Sequence, residues 1–360
     1  MNRTPLQQLD DLGQSVWLDS LKRSYLEPGG YLPSLIAAGE VQGLTSNPSI
    51  FEVALGDSAS YEAQLRELQG SDPREALWSI MKADVVGACD LFLPMYTDSD
   101  GRKGFVSIEV DPSKAFDTEE TVSEGLLLFR ELDRPNLMVK VPGTEPGLGA
   151  ITRLIAEGVN VNVTLLFSVA RYEAVADAYL AGIRRRLDAG GAVGHVASVA
   201  SFFVSRVDSK VDAILGEGSP KIATAAIANA RVAYRSFEQR FRGGSFAELA
   251  DAGARVQRPL WASTSTKNPA LRDVLYVEEL AGPDTVNTMP EATLDAFRDH
   301  GVVEDRVTGA GTETWQQVQR LADDGVDLDQ ITKELEAEGV EKFVTAFEAA
   351  VEVVARYVMD

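Results

Sequence analysis

Lys140 is the residue whose surroundings point most directly to chemistry. It lies in the stretch 136–144, where apolar residues flank it and a Pro-Gly pair follows at 142–143. A short apolar run closed by turn residues indicates a buried strand. An ammonium group is costly in a protein interior unless it is paired or loses its proton, and a neutral lysine there can attack a carbonyl carbon to form a Schiff base. The alternative is a lysine at a strand end whose ammonium reaches solvent.

Polar side chains of this kind recur at the ends of other apolar segments. The candidate site residues are Asp19, Asn47, Glu109, Lys140, Asn162, Thr164, Ser201, Arg206 and Lys267. Several have a structural explanation when taken singly: Asp19 as a helix cap, Asn47 as a turn residue before a proline, and Glu109 as a surface carboxylate. One lysine and two carboxylates near successive segment ends favour Schiff-base chemistry more strongly than any of them does alone.

That chemistry requires groups that move protons as well as a nucleophile. Cleavage of a C–C bond through an iminium needs one group to take a proton from a substrate hydroxyl and another to shuttle protons through water. Asp19, Glu109 and Thr164 would supply these functions. Arg206 and Lys267 would form a cationic patch for a phosphate group.

The elements that must position these residues follow from hydrophobic periodicity. Eight short strands are predicted, at 15–20, 41–48, 104–112, 136–144, 160–167, 196–203, 259–267 and 284–290. Helical patterns separate nearly every strand from the next. Such alternation favours an α/β fold with a parallel sheet, and the number of strands favours a closed (β/α)8 TIM barrel, whose active sites lie at the carboxyl ends of the strands.

Helical patterns also extend the chain beyond the barrel. Helices are predicted at 5–13, 32–38, 59–68, after the cap and proline of 71–73, and at 119–133, 147–157, 169–189, 221–241, 312–323, 327–337 and 340–357. No Pro-, Ser- or Gly-rich linker divides the chain, so residues 1–360 are expected to form one domain. It would have an amino-terminal helix, a helical insertion at about 52–92 and a carboxy-terminal extension, helical throughout, at about 291–360.

Composition limits the expected partners and location. The sequence has 34 Lys and Arg against 55 Asp and Glu, a formal net charge of -21. So acidic a surface repels nucleic acid, and an anionic substrate needs a local cationic patch. We expect no membrane association, because no segment reaches the length of a membrane span. The first residues lack the apolar core of a signal peptide, and the single cysteine, Cys89, fits a reducing compartment, so a cytoplasmic protein is expected.

No cofactor or metal is expected from the sequence. The two histidines, His195 and His300, are not at predicted strand ends, which argues against a histidine-rich metal site. Counting residues does not exclude a magnesium ion held by carboxylates. The sequence contains no G-x-G-x-x-G or Walker pattern, so no nucleotide site is indicated.

Five stretches of the sequence resemble the transaldolase family. They are residues 43–49, 107–111, 139–144, 159–168 and 201–206, in the family's order. The segment before the third strand and the carboxy-terminal helices are similar to those of the longer actinobacterial type. The resemblance implies transfer of a dihydroxyacetone unit from sedoheptulose 7-phosphate to glyceraldehyde 3-phosphate. The products would be erythrose 4-phosphate and fructose 6-phosphate, in the non-oxidative pentose phosphate pathway and without a cofactor.

The same resemblance implies roles for individual residues. Lys140 would be the nucleophile and Asp19 the acid/base of the C–C bond step, while Glu109 and Thr164 would hold a water. Substrate hydroxyls or the iminium would be bound by Asn47, Asn162 and Ser201. The phosphate would be bound by Arg206. The chain departs from better-known bacterial members at 265–267, where Ser-Thr-Lys replaces a second phosphate-binding arginine. A lysine keeps the charge but loses the bidentate fork.

Two alternative functions remain open. A fructose 6-phosphate aldolase uses the same lysine chemistry but releases free dihydroxyacetone, and chain length favours a transaldolase over it. A non-catalytic sugar-phosphate-binding barrel would have no reason to bury Lys140 beside two carboxylates. The oligomeric state is also open, because the helical tail would either cover the barrel or form a homodimer interface.

Overall fold

A closed barrel of eight parallel strands forms the centre of the computed structural model, which describes residues 3–56, 58–216 and 218–359. The strands follow one another around the barrel in chain order, and β1 pairs with β8 to close it. They are β1 Gln14–Leu18, β2 Gly43–Thr45, β3 Phe105–Glu109, β4 Leu137–Pro142, β5 Val161–Leu166, β6 Ser198–Phe203, β7 Gln257–Ala262 and β8 Thr285–Met289. The predicted TIM barrel is therefore confirmed.

Helices surround the barrel and extend it at both ends. They are α1 Pro5–Leu12, α2 Tyr31–Ala37, α3 Pro48–Ala54, α4 Glu62–Glu67, α5 Pro73–Asp98, α6 Thr118–Leu132, α7 Glu145–Ala156, α8 Val169–Asp188, α9 Ser205–Leu215, α10 Ala225–Phe241, α11 Ala247–Asp251, α12 Leu275–Glu279, α13 Glu291–His300, α14 Gly311–Arg320 and α15 Leu328–Val358. No helix within the described ranges is both long and apolar enough to cross a membrane.

Strand β4 shows how the sequence directs its lysine inward. All six residues of the strand are buried. Val139 faces the helix layer, since its Cγ1 lies 3.5 Å from the position that a Cβ on Gly125 of α6 would occupy. Successive side chains of a strand point to opposite faces. Lys140 therefore points toward the barrel interior, away from the helices.

The seventh strand is shorter at its carboxyl end than predicted. The predicted strand 259–267 corresponds to β7 Gln257–Ala262, so Lys267 lies in the loop that follows. The chain leaves the sheet at Ser263, which has the left-handed φ of 57°. Next, Thr264 turns its hydroxyl to donate to Asn287 Oδ1 at 2.9 Å. The alternating small and β-branched residues of 262–266 are typical of a strand. A local pattern does not reveal the hydrogen bond to Asn287 that holds the segment as a loop.

The carboxy-terminal region also differs from its prediction. Residues 301–310 form no helix, and the two helices predicted at 327–337 and 340–357 are one continuous helix, α15. The predicted break coincides with Gly339. This glycine is a packing residue, because a Cβ there would lie 2.9 Å from Leu165 Cδ2. A glycine inside a helix costs stability, and here it permits close approach of α15 to the barrel.

Two short helices that adjoin the site were not predicted. Helix α3 begins at Pro48, directly after Asn47, and α9 begins at Ser205 and contains Arg206. The start of α9 has no side-chain cap, so the usual sequence signal for a helix start is absent. Arg206 is thus held on the first turn of a helix and does not lie in an extended loop.

Ion pairs at two points along α15 hold it across the carboxyl end of the barrel. Near its start, Lys210 of α9 lies 2.8 Å from Glu334 and 2.6 Å from Glu338. Further along, Arg74 of α5 pairs with Glu348. Between these anchors, Gly339 packs against the end of β5. The tail that the sequence assigned either to the barrel or to a dimer interface lies against this chain's own barrel.

We predict that Gly43→Ala destabilises the barrel. A Cβ at this position of β2 would lie 2.6 Å from the indole Nε1 of Trp17 and 2.8 Å from the carbonyl oxygen of Phe105. Because Trp17 is fully buried, it cannot move aside, and overpacking should lower the free energy of unfolding by about 2 kcal/mol. Urea unfolding would measure the change. Gly244→Ala is the control, since no atom lies within 4 Å of its Cβ position; equal losses in both variants would contradict the packing argument.

Candidate active site

A buried ion pair lies at the centre of the site. Glu109 and Lys140 are register partners on β3 and β4, and Lys140 Nζ lies 3.1 Å from Glu109 Oε2. The two residues are 1% and 4% exposed. Lys140 Nζ also donates a hydrogen bond to the carbonyl oxygen of Ser46 at 3.2 Å. The lysine is therefore enclosed and paired, and the alternative of an ammonium that reaches solvent is wrong.

Glu109 is suited to exchange a proton near neutral pH. Burial raises the pKa of its carboxyl to about 7, although the Lys140 ammonium acts in the opposite direction. The nearby Asp19 carboxylate raises it further. Neither carboxyl oxygen accepts a well-aligned hydrogen bond from the described residues, so attraction to Lys140 is the main interaction that favours the charged form.

Asp19 approaches the same interior from the end of β1. Its backbone N–H donates to the carbonyl oxygen of Met289 at 2.8 Å, which continues the pairing with β8. Its Oδ1 accepts a hydrogen bond from the Thr45 hydroxyl at 2.7 Å. Burial raises the pKa of the Asp19 carboxyl, while the Thr45 hydroxyl and the charges of Lys140 and Arg206 oppose that shift. The hydrogen bonds to Met289 and Thr45 hold the Asp19 carboxylate where the positive charges of Lys140 and Arg206 act on it.

A chain of hydrogen bonds fixes the polar residues beside Lys140. Asn162 is the register partner of Lys140 on β5. Its Nδ2 donates to Ser107 Oγ at 3.0 Å, and its Oδ1 accepts from Ser201 Oγ at 2.7 Å. Thr164 lies two residues further along the same strand, fully buried, and its hydroxyl has no hydrogen-bond partner within the described chain. An unpartnered buried hydroxyl suits contact with a water or a substrate group.

Strand β5 is distorted next to Thr164. Leu165 has a φ of 62°, and the register with β6 shifts between Val163 and Leu166. Left-handed backbone is unfavourable for a leucine and persists only where its surroundings hold it. Gly339 of α15 leaves the space that Leu165 occupies, since a Cβ there would crowd the leucine side chain. The irregularity lies beside a candidate site residue, where bulges often redirect side chains.

Asn47 caps a helix, which differs from the expected structural alternative of a turn residue. Its Oδ1 accepts a hydrogen bond from the backbone N–H of Ile50 at 3.1 Å and caps α3. The side chain is half-buried. Because the oxygen is used by the cap, contact with a substrate would involve the Nδ2 group.

Three cations form a patch at the rim of the barrel. Arg206 stacks on Phe203, with its guanidinium carbon 5.1 Å from the ring centroid, and burial lowers its pKa. Lys267 is exposed at the end of its side chain but is partly desolvated. This desolvation is the largest cause of its lowered pKa, and the charges of Arg206 and Lys342 lower the pKa further. The patch consists of Arg206, Lys267 and Lys342. Within the described ranges, no carboxylate oxygen lies within 4 Å of any of these three side-chain cations. Such a patch is the feature that a strongly acidic protein needs to bind an anion.

Two residues that α15 brings to this site were not predicted from the sequence. Lys342 joins the cationic patch, and the Phe343 ring centroid lies 5.3 Å from Lys140 Nζ. The four-residue spacing of Gly339, Phe343 and Phe347 is a signal that one face of the helix is buried. It does not indicate which part of the molecule that face covers.

Two cavities lie apart from this site. One cavity of about 940 Å³ is bordered by α8, α10 and α14, and another of about 520 Å³ lies near Arg255 and Arg258. Neither is lined by a predicted site residue. No group of three or more His, Cys, Asp or Glu in the described part of the chain is placed to hold a metal ion.

Fold and site together define a class of protein. A buried lysine beside carboxylates at the mouth of a (β/α)8 barrel is the arrangement of enzymes that act on carbonyl compounds through a lysine Schiff base. Residues 16–354 match the family model described as Transaldolase/Fructose-6-phosphate aldolase, and the chain belongs to that family.

Curated relatives agree over nearly the whole length. The chain is 50% identical over 346 residues to the transaldolase of Acidothermus cellulolyticus, covering 94% of this chain and 93% of the relative. It is 48% identical over 361 residues to the transaldolase of Thermobifida fusca, covering 98% of each. Transaldolase 1 of Streptomyces coelicolor is 50% identical over 351 residues, covering 95% of this chain and 92% of the relative. The resemblance inferred from five sequence stretches is confirmed.

We predict that Glu109→Gln changes the pH dependence of stability. The pKa of Glu109 is about 7 in the folded chain, against an ordinary value of 4.5. Between these values the folded state holds the proton that the unfolded state has lost, so this group's contribution to stability falls as pH rises toward 7. The free energy of unfolding of E109Q, relative to the wild type, should therefore increase between pH 5 and 7, on the order of 3 kcal/mol.

Urea unfolding at several pH values would measure this difference. Asp208, whose pKa is also raised to about 7, is present in both proteins and so does not contribute to the difference. A difference that stays constant from pH 5 to 8 would contradict the raised pKa of Glu109.

Proposed function

We propose that this protein is a transaldolase that uses Lys140 as its Schiff-base nucleophile. It transfers a dihydroxyacetone unit from sedoheptulose 7-phosphate to glyceraldehyde 3-phosphate, yielding erythrose 4-phosphate and fructose 6-phosphate in the non-oxidative pentose phosphate pathway. The observation that carries the proposal is the enclosed Lys140 amine 3.1 Å from the Glu109 carboxylate. Family membership and the names of the relatives support the reaction.

Schiff-base formation begins with proton transfer from Lys140. The ammonium must lose a proton before its nitrogen can attack C2 of the ketose, and Glu109, with a pKa of about 7, is the adjacent acceptor. Attack forms a carbinolamine, and loss of one water leaves a cationic iminium between Nζ and C2. Glu109 and the unpartnered hydroxyl of Thr164 would hold that water and return it when the product leaves.

Asp19 serves the C–C bond step. Its carboxylate takes the proton from the C4 hydroxyl, the C3–C4 bond breaks, and the electron pair moves into the iminium to leave an enamine on Lys140. Erythrose 4-phosphate departs as the aldehyde. The enamine then attacks C1 of glyceraldehyde 3-phosphate, Asp19 returns its proton to the new alkoxide, and water releases fructose 6-phosphate. Its raised pKa suits Asp19 to both directions of transfer.

The remaining site residues orient the substrate. Asn162 and Ser201 are locked to each other by a 2.7 Å hydrogen bond and would contact substrate hydroxyls or the iminium, as would the Nδ2 group of Asn47. Arg206 and Lys267 would hold the phosphate. A chain with a net charge of -21 repels a sugar phosphate elsewhere, so these local cations both attract and orient it.

The second candidate is a fructose 6-phosphate aldolase, because the matching family model includes that activity in its description. In this reaction the enamine takes a proton and is hydrolysed in place of attacking an acceptor. The names of the relatives favour transfer. An assay with and without acceptor distinguishes the two activities.

Domain organisation, location and assembly complete the proposal. We place residues 1–360 in one domain and the protein in the cytoplasm, and the free, buried thiol of Cys89 supports the cytoplasmic location. A homodimer stays a prediction. Because one face of α15 is buried on its own barrel, that face is not available to a dimer, and sedimentation equilibrium would measure the oligomeric state directly.

We predict that Lys140→Ala abolishes transfer. Purified protein should convert erythrose 4-phosphate and fructose 6-phosphate to sedoheptulose 7-phosphate and glyceraldehyde 3-phosphate, followed through a coupled reaction of the aldehyde. The variant should lose at least about 10³-fold in kcat, since no other group supplies the covalent step. Lys82→Ala, on the outer face and paired with Glu131, is the control. Activity retained by K140A would exclude the mechanism, and equal aldehyde release without acceptor would indicate the aldolase.

We predict that Lys267→Ala weakens phosphate recognition. The variant should raise KM for fructose 6-phosphate by about tenfold and raise KM for unphosphorylated fructose much less. Lys333→Ala removes an exposed lysine from the start of α15 and should change neither value. Equal effects of K267A on both donors would remove Lys267 from the phosphate site.

A further inference from the structure

Phe343 covers the reactive lysine from a part of the chain that the mechanism above does not use. It lies on α15, which is outside the eight strands and their connecting helices. Its ring centroid is 5.3 Å from Lys140 Nζ, and the residue is 4% exposed. The face of an aromatic ring attracts a cation within about 6 Å. The ring therefore contacts the atom that forms the Schiff base.

The position of this ring is fixed by its surroundings. One turn earlier, Gly339 packs so closely on Leu165 that a Cβ would lie 2.9 Å from Leu165 Cδ2. On the other side, Phe347 packs against Trp78 with ring centroids 5.7 Å apart. Ion pairs of Lys210 with Glu334 and Glu338 hold the start of the helix. A ring held between such contacts is a stable wall of the site.

We propose that Phe343 is the apolar roof of the Schiff base and determines how the enamine divides between transfer to an aldehyde and hydrolytic release. The inference rests on the proposed function and goes beyond it, because the mechanism above assigns no role to the carboxy-terminal helix. Phe343 contacts the reacting nitrogen but exchanges no proton, so its role is to position and to exclude water.

The two fates of the enamine differ in their use of solvent. In transfer, C3 of the enamine forms a bond to the acceptor aldehyde, and water then adds to C2 of the new iminium. In release, C3 takes a proton from solvent, one water adds to C2, the C2–Nζ bond breaks, and dihydroxyacetone leaves while Lys140 regains its amine. An apolar ring over the nitrogen keeps bulk water away from the enamine. The face of the ring also stabilises the cationic iminium that precedes the enamine and the one that follows it.

Phe343→Leu tests this role with little change in apolar volume. The measured quantity is the ratio of two rates: dihydroxyacetone released from fructose 6-phosphate without acceptor, and transfer to erythrose 4-phosphate. F343L should raise this ratio about tenfold, because the cation loses the ring face and water gains access. Phe343→Met, also close in volume and without a ring, should shift it in the same direction and provides a second test if F343L does not fold.

Phe347→Leu is the matched control. Phe347 lies four residues further along α15 and is 1% exposed. Its ring contacts Trp78 and Arg74, whereas the Phe343 ring contacts Lys140. F347L should lower the unfolding temperature without changing the ratio. The proposal is overturned if F343L and F343M keep the wild-type ratio, or if F347L shifts it equally. Absence of any turnover by the wild type would instead refute the proposed function, so the two failures are distinguishable.

Discussion

The buried pair of Lys140 and Glu109 is the interaction on which the site depends. Removing two charges from water costs several kcal/mol for each ion, and only close pairing with additional hydrogen bonds offsets that cost. The two residues lie directly opposite each other on β3 and β4, and Lys140 donates a further hydrogen bond to the carbonyl oxygen of Ser46. The Glu109 oxygens accept no additional hydrogen bond from the described residues, so part of the desolvation cost remains and the pKa of Glu109 is raised. A register slip of one residue would turn either side chain to the helix layer. The register of the barrel and the chemistry of its mouth are therefore set by the same constraint.

Charges around the pair give each group a different proton affinity. Burial raises the pKa of both Glu109 and Asp19, but the Asp19 carboxylate accepts a hydrogen bond from the Thr45 hydroxyl, whereas Glu109 interacts with the Lys140 ammonium. Two carboxyls near one lysine can therefore serve separate steps, one at the amine and one at the substrate hydroxyl. The cationic patch of Arg206, Lys267 and Lys342 lies further out and acts against the overall negative charge.

Local sequence pattern was sufficient for the barrel and the centre of the site. The alternation of short apolar strands with helices predicted the fold, and polar residues at strand ends identified Lys140, Glu109, Asp19 and Thr164, because parallel strands bring their carboxyl ends together. The direction of Lys140 followed from strand periodicity once the fold was known. Their catalytic roles stay proposals that rest on geometry and family.

Long-range packing accounts for what the sequence did not predict. Gly339 resembles a helix break in the sequence, yet it lies inside one continuous helix and packs closely on Leu165, which is remote in sequence. The loop after β7 depends on a hydrogen bond between Thr264 and Asn287. Periodicity identified an apolar face on the tail but not the surface it covers, so Phe343 and Lys342 were missed.

Borohydride trapping would show whether Lys140 forms the Schiff base. The protein is incubated with fructose 6-phosphate, reduced, digested and analysed by mass spectrometry. One stable adduct, of the mass of a reduced dihydroxyacetone unit, is expected on the peptide that contains Lys140. No adduct in an active preparation, or an adduct on another lysine that persists in Lys140→Ala, would contradict Schiff-base formation by Lys140.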